Sequence, residues 1–555
     1  MSNNEGEATA ETAPFDGQNS VDTSPLLRTG AIEATSTVVS EETQSSLRAG
    51  ITWPCLVSAA IICISPLQYG YHIAELNTPK NIIISCNKDA VYSSSLPLCL
   101  PMGDAMYSVC TSIFAIGGLL GSLSAGWMAE RWGRRGALVY NNVSYVLGPL
   151  LMAFAVSPVM LAAGRFVSGF GSGASVVIAP LYLSEIAPIK YRGTLNMLNQ
   201  LSIVAGILMT LVIGMLANSG PYWRISVGFG LVLACLYLLL FTFAVESPRY
   251  LWSHNMRAEA RIVLRTLRHT SNVEDEVAGW PVPSASSSSD YRPPSQVASS
   301  EAGNTEEQPL SQQEGGLLGA GAQDGAPKPG STDCVDGLMA DNTSGPKVTV
   351  LNIFRFAQYR KAWVLVLFLH FGQQLSGINT VFYYSSSVLE KMFSSHVSSI
   401  LTMTIGVLNV VATAFGMLFV DRFGRRPLLF SSMTGMIISV TLLGVSLARG
   451  FDIMAAVSLY LVVASFAPGY GPVPFLLGTE FFDVLAAGAG GSWALAANWI
   501  GTFIVAVSFL PVENLIGEWV FAIFVGALLL CEVVFYIYIP ETKGRPIEEI
   551  AKKLA

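Results

Sequence analysis

A chain of 555 residues that is 52% hydrophobic and only 12% charged departs from soluble domains, in which about a quarter of residues are charged. That balance excludes a soluble enzyme and a nucleic-acid binder, and calls for a chain that crosses a bilayer many times. The formal charge of −7 says little about partners, because the acidic residues gather in the polar ends.

Cut at about 20 residues per crossing, the chain predicts twelve spans, near 53–77, 105–129, 136–156, 159–184, 195–217, 222–245, 361–389, 397–420, 427–448, 453–481, 489–510 and 518–539. The expected fold is an all-α membrane protein with an N-terminal bundle over 51–250 and a C-terminal bundle over 348–540. Arg131, Arg134 and Arg135 follow span two, Lys190 and Arg192 span four, and Arg249, Arg257 and Arg261 span six. Arg422, Arg425 and Arg426 follow span eight, and Lys543 and Arg545 span twelve. The intervening loops carry few basic residues, so both termini are expected in the cytosol. No early apolar core marks a cleavable signal peptide.

The tail 1–50 is rich in Ser, Thr, Glu and Ala, a composition that stays disordered. Within it, Asp22-Thr23-Ser24-Pro25-Leu26-Leu27 resembles an acidic dileucine sorting signal. Read by an adaptor complex, Asp22, Leu26 and Leu27 would direct the chain to a vacuolar or endosomal membrane, with the plasma membrane as the alternative. In span one, His72 and Glu75 stand three residues apart and can meet on one helix face. Ionisable groups at that depth are functional candidates; the plainer reading is a self-satisfied pair near the membrane surface. Cys86 and Cys99 share the first non-cytosolic loop, as a disulfide or as two thiols. Glycine clusters at 117–121 in span two and 164–173 in span four read as close-packing faces, because no strand precedes them as a nucleotide fingerprint requires.

The cytosolic loops repeat. Glu130-Arg131-Trp132-Gly133-Arg134-Arg135 after span two recurs as Asp421-Arg422-Phe423-Gly424-Arg425-Arg426 after span eight. Glu185 and Arg192 after span four have a counterpart in Glu480 after span ten, and Glu246-Ser247-Pro248-Arg249 after span six is echoed by Glu541-Thr542-Lys543 after span twelve. Two parallel six-span repeats are the architecture of one class of transporter. Positive charge alone can set topology, but that rule does not ask for acids beside the arginines. A network of these acids and bases bridging the halves on the cytosolic side would bias a two-state equilibrium. Between the halves, 251–270 predicts a basic amphipathic helix, and 271–347, rich in Ser, Pro, Gly and Gln, a disordered linker. Residues 541–555 form a short cytosolic tail.

Span seven carries Gln373-Gln374-Leu375-Ser376-Gly377-Ile378-Asn379-Thr380 and then Tyr383-Tyr384. Burying such groups unpaired costs about 1–3 kcal/mol each. A single amide here would be interhelical glue; a row of this density beside a glycine break is read as a site. Uncharged amides and hydroxyls suit a neutral polyhydroxylated ligand, whose hydroxyls both donate and accept. Gln200 in span five, Asn409 in span eight and Asn498 in span eleven are further polar residues within spans. Span ten contains Pro468-Gly469-Tyr470-Gly471-Pro472-Val473-Pro474-Phe475, which must break the helix.

The span-seven signature together with the paired loop motifs resembles the sugar porter family of the major facilitator superfamily. Residues 69–77 look most like a fungal vacuolar group, the vacuolar-protein-sorting-associated sugar-porter-like proteins. The resemblance covers about 53–270 and 349–545. It implies that Gln200, Gln373, Gln374, Asn379, Asn409 and Asn498 contact a hexose, with Tyr384 and Phe475 at the same site. Phe475 stands where many members have a tryptophan that packs on the sugar, and Val245 replaces the proline that usually precedes Glu246-Ser247-Pro248-Arg249. His72 stands where proton-coupled members carry an aspartate, so coupling is expected to be weak or absent. The expected function is movement of a monosaccharide by alternating access, with no cofactor and without ATP, since no phosphate-binding Gly-Lys-Ser/Thr loop is present. The rival is a sugar receptor of the same fold that signals through a cytosolic segment.

Overall fold

The computed structural model describes residues 51–84, 96–188, 191–217, 220–270, 272–278, 280, 350–482, 486–543, 550 and 553–554. All regular structure among them is helical. The dileucine motif of Asp22, Leu26 and Leu27, and Cys86, lie outside the described residues. Cys99 is disulfide-bonded.

Among the described residues twelve crossings are present, though the chain does not end a helix at each. Span one is Trp53–Ala74, started by the Thr52 hydroxyl accepting from the Cys55 amide, as an N-cap does. Spans two and three are joined in Asp104–Ala153, kinked at Gly133. Span four, Pro158–Ile186, opens on a Ser157 cap with proline in its first turn, where the missing N–H is harmless. Spans five and six are Arg192–Leu216 and Trp223–Leu240. Span seven is two helices, Ala357–Leu375 and Ile378–Leu389, hinged at Gly377. Gly377 has φ +80°, and a β-carbon there would lie 2.7 Å from the Phe524 ring. Spans eight and nine are Ser395–Phe423 and Arg425–Arg449. Span ten is likewise broken, into Asp452–Phe466 and Val473–Glu480. Spans eleven and twelve are Ala487–Ile516 and Val520–Tyr538.

Spans two and four pack backbone to backbone through their glycines: a β-carbon on Gly117 or Gly173 would meet the Phe166 or Gly118 carbonyl at 2.1 and 1.9 Å. Small residues also line the seams between the halves. Gly118 of span two lies under the Trp499 ring of span eleven, and Gly406 of span eight faces Leu208 and Leu211 of span five. Glycine at these two positions lets the bundles approach closely there.

Two expectations change on the cytosolic side. The predicted helix over 251–270 is two pieces, Pro248–Ser253 and Arg257–Arg268. The segment expected to be linker from 271 first forms a short helix, Glu274–Ala278. Val273, Val277 and Trp280 are buried against Tyr250, Trp252 and Leu264, and Arg268 pairs with Glu276 at 2.8 Å. Three apolar residues at 273, 277 and 280, spaced by one helical turn, carried that signal inside a polar stretch.

Candidate functional site

The glycine hinge of span seven and the proline break of span ten meet. Gln373 donates to the Tyr470 and Gly471 carbonyls at 2.6 and 2.9 Å, two acceptors that the broken helix leaves free. Its own carbonyl accepts from Asn498 of span eleven at 2.8 Å. Gln374 accepts from Asn379 at 2.5 Å, and Asn379 reaches the Thr502 hydroxyl at 3.3 Å. Gln373, Gln374 and Asn498 are buried, and Asn379 is half-buried. The amide row is thus an uncharged network of three spans, able to offer donors and acceptors by rearranging. Thr502, one turn beyond Asn498, belongs to it and escaped the sequence reading.

Other expected residues lie apart from this network. Gln200 is half-buried and Asn409 buried in spans five and eight, neither hydrogen-bonded to another described residue. Phe475 is half-buried, its ring edge-on to His370 at 5.0 Å. Tyr384 gives its hydroxyl to the Ala506 carbonyl at 3.1 Å and stacks on Phe509, nearer the outer side. At the level of the amides, Tyr69 of span one and Phe114 of span two face Trp499 at 5.6 and 5.8 Å across the halves.

At the end that the charge pattern places outside, described residues of the two halves are bonded to each other. Asn77, just after span one, donates to the Ser385 hydroxyl at 2.9 Å and accepts from the Ser386 amide at 3.1 Å. Asn81 donates to Glu390. Lys80 sits over the rings of Tyr107 in one half and Tyr384 in the other, at 5.6 and 6.0 Å. Burial pushes the Glu390 carboxyl above its ordinary range, against hydrogen bonds from Ser395 and Asn81 and the charge of Lys80.

The basic loops expected in the cytosol form two matching clasps. In the first, Glu246 accepts from the amides of Arg134, Arg135 and Ser247 at 2.9, 3.1 and 2.8 Å, and Arg134 donates to Glu185 at 2.8 Å. In the second, Glu541 accepts from the amides of Arg425 and Arg426 at 3.1 and 3.0 Å, Arg425 pairs with Glu480 at 3.1 Å, and Thr542 donates to Glu480 at 2.6 Å. Gly133 and Gly424 take φ/ψ of 77/170° and 93/168° and bring the following amides onto the carboxylate. A carboxylate at such a helix start is favoured by the exposed N–H groups. The expected network bridging the halves is not found among the described residues: each clasp closes within its own half. The reason is geometric, since each acid caps a helix of its own repeat. Glu130 is exposed, Arg192 half-buried, and Arg249 exposed over the Trp280 ring; none joins a clasp. The Asp421 side chain is outside the description.

His72 and Glu75 do meet, at 2.8 Å, and are fully buried rather than at the surface. The partner is Arg165 of span four, which reaches Glu75 at 2.7 Å, donates to the His72 carbonyl and lies 4.4 Å over the Phe114 ring. Arg165 was read only as part of a glycine-rich face, although an arginine inside an apolar span is itself a signal.

Comparison with known proteins agrees with this architecture. A family model described as sugar (and other) transporter matches residues 58–297 and 322–554. A probable metabolite transport protein of Saccharomyces cerevisiae is 31% identical over 89% of this chain and 94% of its own length. Facilitated glucose transporter protein 1 of Caenorhabditis elegans is 32% identical over 89% of this chain and 90% of its own. Among solved structures, the E. coli xylose transporter XylE in a partially occluded inward open conformation superposes with a TM-score of 0.65 at 21% identity, covering 89% of this chain and all of XylE.

Proposed function

The chain belongs to the sugar transporter family, and from that premise we propose that it carries a hexose-like monosaccharide across a membrane by alternating access. The carrying observation is the neutral amide network of Gln373, Gln374, Asn379 and Asn498 at the meeting of two broken helices. Neutral amides bind a polyol without imposing a charge, and broken helices mark binding sites in transporters. Several relatives bear the name facilitated glucose transporter, and a glucose analogue is bound in one XylE structure. In this reading Gln200 and Asn409 face the sugar from spans five and eight once it enters. With the outer seam joined by Asn77 and no cross-half ion pair among the described residues of the opposite end, this conformation is read as inward-facing.

Glu75 is already paired with Arg165 at 2.7 Å, and His72 Nδ1 lies 2.8 Å from the same carboxylate. That arrangement favours facilitated diffusion, or coupling to protons that is weak. The test is uptake of a panel of labelled monosaccharides into proteoliposomes, with and without an imposed pH gradient. Saturable uptake that equilibrates supports the proposal. Absence of uptake for every sugar overturns it, and uphill accumulation collapsed by a protonophore overturns the facilitative part.

We further infer that the Asp22-to-Leu27 motif holds the protein in a vacuolar or endosomal membrane. Leu26→Ala with Leu27→Ala should then move a fluorescent fusion to the cell surface; an unchanged pattern removes the motif from consideration.

A further inference from the structure

A carboxyl group stands on the bilayer-facing side of span twelve. Glu532 is half-buried there, and its one hydrogen bond among the described residues comes from the exposed Thr434 of span nine, at 2.6 Å. Ile438 of span nine and Leu529 and Val533 of span twelve are exposed, so the pair lies on a surface that meets lipid. Ionisable groups at membrane depth are rare, almost always turn inward, and are functional candidates where they occur. Protonated or not, a carboxyl keeps oxygens that accept, and one hydroxyl does not fill them.

One turn nearer the end expected in the cytosol stands a cation. Arg426 Nη2 donates to the Tyr536 carbonyl at 2.7 Å, and the guanidinium lies 5.3 and 5.6 Å over the rings of Tyr536 and Phe430. That guanidinium pairs with no carboxylate among the described residues. Tyr536 is four residues past Glu532, and Phe430 four before Thr434. The helical rise of about 1.5 Å per residue thus sets the cation about 6 Å from the carboxyl along the helix axes. The repeat supplies a contrast. In the first half Arg135 makes the same contact with Phe241, over its ring at 5.2 Å and to its carbonyl at 3.2 Å. Counted from Glu246 and Arg135 as from Glu541 and Arg426, the positions matching Glu532 and Thr434 are the buried Tyr237 and the exposed Val143. The arginine on an aromatic ring belongs to the repeat; the carboxyl does not, so the fold has no need of it.

We propose that this face of spans nine and twelve binds a phosphate-bearing sphingolipid of the cytosolic leaflet, with Arg426 on the phosphate and Glu532 accepting from the ceramide backbone. A guanidinium free of acid partners suits a phosphate. The cation at headgroup level and the acceptor one turn deeper follow the order of groups along such a lipid. Its phosphate hangs from the first carbon, and its N–H and O–H donors stand on the next two, within reach of two flexible side chains. A diacylglycerol phosphate has only ester carbonyls at that level, which accept and cannot donate, so it leaves Glu532 as it is now. The proposal is independent of which sugar the carrier moves.

The test offers the full-length protein in detergent micelles equal amounts of ceramide 1-phosphate and phosphatidic acid of matched chains, and counts bound lipid by native mass spectrometry. The two probes share a phosphate monoester and differ in the backbone donors. Ceramide 1-phosphate should be bound about three- to tenfold over phosphatidic acid, the effect of one added hydrogen bond. Glu532→Leu, a residue at home against lipid, should bring the two probes to equal binding with phosphatidic acid still bound. Glu532→Gln keeps one acceptor oxygen and should retain part of the preference, whereas Arg426→Gln should lower both lipids together. Equal binding of the two probes by the unaltered chain, or a preference that persists in E532L, overturns the proposal. A dimer of the unaltered chain that E532L converts to monomer also overturns it, and assigns the face to a second copy.

Discussion

Gln374 and Asn379 are hydrogen-bonded to each other with no ligand in place, so a sugar must exchange these bonds for its own. The net contribution of one neutral bond is about 0.5–1.5 kcal/mol, or roughly three- to twelvefold in affinity. Gln374→Ala and Asn379→Ala are therefore expected to raise the half-saturation concentration by that factor while protein abundance holds. Unchanged half-saturation in both would detach the amide row from binding. Gln373, Gln374, Asn379 and Asn498 were legible because an amide inside an apolar span has a cost that only a partner or a ligand can offset. Thr502 stands one turn from Asn498 and Arg165 opposite a buried carboxylate, and neither role shows in the sequence alone. Which span faces which is a tertiary fact, and without it His72 and Glu75 read as a pair on one helix face, functional or self-satisfied, with no sign that Arg165 of span four completes it.

At the scale of elements, the breaks were the readable part: Gly377 and the Pro468-to-Pro474 run interrupt their helices where φ and the missing N–H groups require it. The clasps were half readable. Their acids and bases repeat in sequence, but only the conformation of Gly133 and Gly424 shows why each closes on its own half. Both glycines occupy a region nearly closed to other residues, where a side chain costs about 1–3 kcal/mol. At Gly133 a β-carbon would also stand 2.5 Å from Glu246 Oε2, against 3.0 Å from Glu541 at Gly424. Gly133→Ala should thus lower thermal stability in detergent more than Gly424→Ala; the reverse order would speak against the clasp geometry. The outer seam carries a pH dependence whose sign follows from linkage. Burial raises the Glu390 carboxyl above its ordinary value, and opening the seam rehydrates it, so the closed seam binds the proton more tightly. Acid on the outer side therefore favours the closed seam, and raising the pH through the range above the ordinary glutamate value releases it. Uptake from the outer side should slow on acidification in that range, and Glu390→Gln should flatten the profile; a profile that persists in E390Q assigns the effect elsewhere.

For the whole molecule, an all-helical fold of twelve spans followed from hydropathy and charge, because lipid forces every crossing to satisfy its backbone within a helix. The state of the carrier did not, since the same pattern serves either orientation; it is read from Asn77 bound to Ser385 and Ser386 across the outer seam. A carrier that exposes one site alternately to each side exchanges sugar faster than it moves it net, whereas a pore does not. Proteoliposomes loaded with unlabelled hexose and diluted into a trace of labelled hexose measure this directly. A transient accumulation of label above the external concentration is expected, smaller in Gln374→Ala at the same trace level. Label that only rises monotonically to the external concentration, or fails to enter, would contradict it.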